Sequence, residues 1–172
     1  MPADSAVTSR ARVRPPRRLR RQLGQRADIL GVIAIGGALG SLARYGLAEA
    51  FPHPASGLAW GTVIANVSGA FALGALMVFV VDAWPTTRLV RPFLGVGVLG
   101  GYTTFSTMAL DTRSLAASGE LGRAGLYLFG TVVVGLLAVW AGIVVARGCV
   151  WWLRARQHRR TTGGDSRLPR RN

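Results

Sequence analysis

The chain has 172 residues, half of them hydrophobic, with 23 glycines and a formal net charge of +14 at neutral pH. Its basic side chains, two histidines apart, are all arginine, and Cys149 is its single cysteine. An intrachain disulfide is thereby excluded, and so is an ordinary soluble domain, because the apolar residues gather into long runs separated by short polar connectors.

Four runs carry the apolar residues: Ile29–Leu47, Trp60–Val81, Phe93–Leu110 and Ala124–Ala146. A membrane-crossing helix needs about 17–25 mostly apolar residues, and each run meets that length. Three contain no charged residue, and the first contains only Arg44, near its end. These features predict an all-α integral membrane protein with one four-helix membrane domain over residues 29–148. Residues 1–28 read as a disordered, arginine-rich tail, and 149–172 as an interfacial pair, Trp151 and Trp152, followed by a basic tail. No small-residue cleavage pattern follows a short apolar core, so a removable signal peptide is not expected.

Eight arginines, from Arg10 to Arg26, precede the first run, and eight more, from Arg147 to Arg171, follow the last. Arg88 and Arg91 lie in the connector between the second and third runs. With four crossings, both termini and that connector share one side. The positive-inside rule makes that side the cytoplasm, and the expected location is the bacterial inner membrane. The tails offer no aromatic platform for nucleic acid; contact with anionic lipid headgroups is the expected role.

In the first run, Gly36 and Gly40, and Gly37 and Ser41, make small-xxx-small pairs of the kind that let helices approach closely in lipid. Arg44 either snorkels to headgroups or forms a structural ion pair with a carboxylate of a neighbouring helix. The second run places Asn66 near its middle, with Thr62 one turn earlier and Gly69 on roughly the same face. The amide serves either as glue between helices or as an N–H donor to an anion, and the number of polar groups around it favours the second. The third run holds Gly100-Gly101-Tyr102-Thr103-Thr104-Phe105-Ser106-Thr107, two helix-weakening glycines and then four hydroxyl side chains within five positions. Backbone that leaves the helix at this depth survives only where protein buries it or water wets it, so the segment reads as an ion or substrate site. In the fourth run Tyr127, Thr131 and Gly135 share a face, their hydroxyls able to serve an anion or each other; Gly130, Gly135 and Gly142 fit close packing.

No run carries a central carboxylate: Asp82 and Asp111 fall near run ends, and Glu49 and Glu120 in or beside connectors. That argues against proton coupling and for a passive pore. His53, between two prolines, reads as a solvated connector residue. No phosphate loop, metal-ligand cluster or nucleophile–base set is present in the sequence, and no enzyme is expected.

Three motifs, Gly36-Gly37-x-x-Gly40-x-x-x-Arg44-Tyr45, Trp60-Gly61-Thr62-x-x-x-Asn66-x-x-Gly69 and the third-run segment above, resemble in order and spacing those of the Fluc fluoride channels, also called the CrcB family. The resemblance runs from about Gly31 to Gly142. It implies an antiparallel, dual-topology-type dimer in which the third helix breaks at its centre and two pores export fluoride passively, relieving its toxicity. It assigns the backbone carbonyls of Gly100 and Thr103 to a structural Na+ at the dimer interface. It assigns Asn66, Phe105, Ser106, Thr107 and Met108, with Thr62, Tyr127 and Thr131 as hydroxyl donors, to the fluoride pore. Phe105 would turn its positive ring edge to the anion.

Two departures follow. The family has a second phenylalanine where this chain has Met108, which is polarizable but has no ring edge. An antiparallel homodimer needs a weak charge bias, and this chain has a strong one. A heterodimer with an oppositely oriented homologue is therefore the favoured assembly, a homodimer the other. The competing functions are a small four-helix multidrug-type exporter, which needs a first-span carboxylate that is missing here, and a noncatalytic membrane scaffold.

Overall fold

The computed structural model describes residues 17–54, 57–80 and 88–162, with side chains described for 26–54, 57–80 and 88–156. The described residues are helical throughout apart from short connectors: α1 (Arg17–Ala50), α2 (Trp60–Val78), α3 (Leu99–Tyr102), α4 (Phe105–Ala117) and α5 (Leu121–Thr162). A wider-wound π-helical stretch, Pro92–Val98, leads directly into α3. Among the described residues, four helical segments are long and apolar enough to cross a membrane: Arg26–Ala50, Trp60–Val78, Pro92–Ala117 and Leu121–Arg156. This is a multi-pass membrane protein.

Helix ends differ from the apolar run ends for local reasons. Residues 17–28 of the expected tail form the first part of α1, and residues 1–16 lie outside the described residues. α4 continues past the polar residues Asp111, Thr112 and Arg113 because nothing there stops a helix. It ends at Ala117, and Gly119, two residues on with a φ of 86°, closes a Schellman turn. The Gly119 N–H donates to Ala116 O at 3.1 Å and the Glu120 N–H to Leu115 O at 3.0 Å. Asp111 consequently lies inside the third crossing segment, not at its end. At about 1.5 Å per residue, the 42-residue α5 is about 63 Å long. That exceeds a hydrocarbon core of about 30 Å, so its arginine-bearing end projects beyond the core.

Two parallel helix pairs make the bundle. α1 packs along the π-helical stretch and α3, and α2 along α5. Glycines set both seams. A Cβ on Gly36 would stand 2.6 Å from Phe93 O, and one on Gly97 3.0 Å from the Gly36 Cα. A Cβ on Gly101 would collide with Gly37 O, and one on Gly40 with Val98 O. Across the second seam, Gly74 abuts Val139 O and Gly142 abuts Phe71 O. Gly69 leaves room for the Thr103 methyl and the Tyr102 ring. Gly130 and Gly135, by contrast, face open space within the chain. Lipid supplies no hydrophobic drive between helices, so backbone contact at such seams provides the packing.

Little apolar surface is buried. One cluster, Ala59, Met108, Leu115, Ala124 and Tyr127, closes the end nearest the α1–α2 connector. A second, Val78, Ala146 and Val150, closes the other. In α2, 33% of the most apolar window is buried, against 11% in each of the other crossing segments. Those other faces are left for lipid or a second chain. Gly101→Val, which places a methyl-bearing side chain into the Gly37 backbone, is expected to destabilise the bundle by about 1–3 kcal/mol. Thermal unfolding in detergent should show that loss, with Gly148→Ala, in open space, unfolding no earlier than the unsubstituted chain.

Candidate functional site

Thr103 and Thr104 interrupt the third segment in extended conformation, with φ/ψ of −83°/153° and −151°/125°. The hydroxyl residues supply what the interrupted helix lacks. Upstream, the Thr103 N–H and Oγ1 both donate to Leu99 O, at 3.0 and 2.9 Å. Downstream, Thr104 is the N-cap of α4, its Oγ1 accepting from the Thr107 N–H at 3.2 Å. Thr104 Oγ1 also donates to Thr107 Oγ1 at 3.0 Å and lies 3.2 Å from Ser106 Oγ.

Asn66 of α2 pairs with the backbone of Thr104 on both sides of its amide plane. Its Nδ2 donates to Thr104 O at 2.9 Å, and its Oδ1 accepts from the Thr104 N–H at 2.7 Å. Arg44 of α1 spans the interruption from the opposite flank. Its Nε donates to Gly101 O at 3.2 Å and its Nη1 to Thr107 Oγ1 at 3.4 Å, while Ser41 Oγ lies 3.5 Å from Gly101 O. Arg44 thus takes a carbonyl and a hydroxyl as partners rather than the carboxylate of an ion pair, because the interruption presents those acceptors directly beside it. Tyr102 OH meets Ser68 Oγ at 3.0 Å.

The interruption takes the helical donors from the carbonyls of Gly100, Gly101, Tyr102 and Thr103; Gly101 O is taken up by Arg44, and Gly100 O and Thr103 O face the following changes. The Thr104 N–H, which in an unbroken helix would return to Gly100 O, goes to Asn66. The Thr107 N–H, which would return to Thr103 O, goes to the Thr104 hydroxyl. Both residues line an open groove of about 430 Å³, together with Asn66, Phe105, Met108 and Thr131. A Cβ on Gly100 would meet nothing within 4 Å. Phe105 projects with 74% of its surface exposed, whereas Met108 is buried in the core beneath the groove.

The remaining hydroxyls expected at an anion site have partners within the chain. Thr62 Oγ1 and Tyr127 OH each donate to Asp111 Oδ2 at 3.0 Å, and Thr131 Oγ1 donates to Tyr127 O at 2.6 Å. Asp111 is thus a central member of the polar network, and hydropathy alone missed it. A spacing of four from Thr107 on one helix, which puts the carboxylate on the face of the hydroxyl segment, is the signal that would have found it. His53 is likewise not simply solvated: its Nε2 lies 3.9 Å from Asp111 Oδ1. Asn66, Gly100, Thr103, Phe105, Met108 and Thr131 are therefore brought to one groove; Ser106 and Thr107 lie beside it at the interruption, and Thr62 and Tyr127 are gathered by Asp111.

Comparison with known proteins identifies the family of the chain. Residues 31–143 match the family described as CrcB-like protein, Camphor Resistance (CrcB). The fluoride-specific ion channel FluC 2 of Nocardia farcinica is 48% identical over 124 residues, 72% of this chain and 86% of the relative. The fluoride-specific ion channel FluC 1 of Streptomyces coelicolor is 44% identical over 73% of this chain and 82% of its own. FluC 3 of Streptomyces avermitilis, of the same description, is 44% identical over 71% of this chain and 60% of its own. The matched region contains the glycine seams, Asn66, the interrupted segment and the Asp111 network, and the chain belongs to the CrcB family.

Proposed function

We propose that this chain forms a fluoride-selective channel that carries cytoplasmic fluoride outward, passively, and so relieves fluoride toxicity. The observation that carries the reading is the groove at the interrupted third segment, in a chain whose relatives are named fluoride-specific ion channels. Fluoride is small and strongly hydrated, so a pore must replace its water with donors. Asn66 uses one amide N–H on Thr104 O and keeps a second beside the groove. Thr107 accepts from both Arg44 and Thr104, which leaves its own hydroxyl proton to donate. The exposed Phe105 ring offers its positive edge. These donors sit in apolar surroundings, where an electrostatic contact is stronger than in water.

An antiparallel second subunit would cover the open groove, each third segment acting as a centrally broken membrane helix. The carbonyls of Gly100 and Thr103, stripped of their helical donors, fit a structural Na+ at that interface, since a hard cation takes oxygen ligands. Bound there, the ion would offset the carbonyl dipoles of both subunits. The arginines at the ends of α1 and α5, with Arg88 and Arg91, favour cytoplasmic termini in a bacterial inner membrane. So uniform a bias points to a heterodimer with an oppositely oriented homologue, and the numbered names of the relatives suit organisms with more than one such subunit. The multidrug-type alternative still lacks a carboxylate at the centre of α1. Asp111 within the third segment removes one argument against proton coupling, but not the family's standing as channels.

In proteoliposomes the chain, with its partner where needed, is expected to release fluoride while retaining chloride; no release from either preparation would contradict the reading. Asn66→Ala unpairs the Thr104 backbone and removes an anion donor. Unmade buried hydrogen bonds cost about 1–3 kcal/mol each, so fluoride flux should fall at least roughly tenfold, measured with an ion-selective electrode. Cysteines placed at either terminus should label from the cytoplasm alone, and equal labelling from both sides would contradict the heterodimer.

A further inference from the structure

His53 stands in the α1–α2 connector between Pro52 and Pro54, whose rings restrict the backbone on both sides. Its imidazole lies 3.9 Å from Asp111 Oδ1, with the histidine side chain 34% and the aspartate 16% exposed. Asp111 Oδ2 in turn holds Thr62 and Tyr127. Thr62 is one turn from Asn66 on α2, and Thr131 at the groove binds the Tyr127 carbonyl. Polar groups are therefore spaced from the connector end of the molecule towards the groove, with Asp111 between His53 and the hydroxyls of Thr62 and Tyr127.

A carboxylate at that position opposes an anion twice. It repels fluoride, and it occupies the two hydroxyls that fluoride would need. A charged imidazole on the other carboxylate oxygen would offset the repulsion and give the carboxylate a competing partner. The other groups at this end do not supply such a charge in a pH-dependent way. Glu49 ends α1, Arg113 projects from α4, and Glu120 pairs with Arg123 at 3.7 Å across the α4–α5 turn. Tyr127 is engaged with Asp111 itself. Histidine is the side chain whose ordinary charge change falls between about pH 5 and 8.

We propose that His53 and Asp111 form a charge-regulated mouth of the anion path, through which fluoride passes faster when His53 is protonated. The proposal rests on the channel reading above and adds a pH response, seated in this connector, to it. The test is fluoride efflux from liposomes holding the full chain in whichever assembly conducts. The pH is set equal on both sides, at about 6 and about 8, and leak from protein-free vesicles is subtracted.

The unsubstituted chain is expected to conduct roughly three- to tenfold faster at the lower pH, the effect of one charge about 4 Å from another in a partly wet site. His53→Gln should remove that ratio and stay slow at both values. His53→Arg, with its charge fixed, should be fast at both. Asp111→Asn should also lose the ratio, and the two connector variants carry the test independently of any packing that it disturbs. Equal ratios in the unsubstituted chain and His53→Gln, or no ratio in the unsubstituted chain, would overturn the proposal while leaving the channel reading intact. No fluoride flux at either pH would overturn both.

Discussion

The structure depends on how the two backbone groups of Thr104 are satisfied. Inside a bilayer an exposed N–H or C=O costs several kcal/mol, so a chain that leaves the helix there needs a partner of matching geometry. The Asn66 amide is that partner, presenting a donor and an acceptor in one plane to the N–H and C=O of one residue. Everything around the interruption follows from that pairing. Once the Thr104 N–H is diverted, Gly100 O is free. Once the Thr104 hydroxyl caps α4, Thr103 O is free as well. The polarity in the groove is therefore a by-product of satisfying the interruption, and the same groups are available to ions.

Arg44 completes the arrangement from the other flank. By holding Gly101 O upstream and Thr107 downstream, it fixes the distance between the two halves of the third segment. It also places a permanent positive charge close to the Thr107 hydroxyl. An arginine so engaged cannot be exchanged for lysine without losing one of the two contacts, because only the guanidinium fork reaches both. The glycines on α1 have the companion task of bringing its backbone near enough for Arg44 to reach.

Much of this was legible in the sequence. Run length and apolar content give the four crossings, since a bilayer imposes a length that soluble folds do not. Small-residue spacing in the first run anticipates the seam at Gly36 and Gly40, while Gly130 and Gly135 show the limit of that signal, because spacing does not say which neighbour a glycine faces. Asn66, Thr103 and Phe105 stand out as polar or aromatic residues of unusual placement. Their partners do not, because the pairing of Asn66 with Thr104 joins different helices. Asp111 reads as an end residue because hydropathy falls there, although the helix continues to Ala117 and is closed off by the backbone conformation of Gly119. His53 was hidden for a related reason: its partner belongs to another element, and a connector histidine carries no periodicity. The arginine-rich start of α1 reads as tail by composition, yet arginine is a good helix former.

The central claim is that the groove at the interrupted segment is the path of fluoride and not only a packing feature. Phe105 tests it most directly, since its ring is largely exposed and contributes little to the fold of this chain. Phe105→Ile, reconstituted in its normal assembly, should fold and assemble as before while its fluoride flux in proteoliposomes falls to the protein-free level. Fluoride flux equal to that of the unsubstituted chain would contradict the account and leave the interruption with a purely structural role.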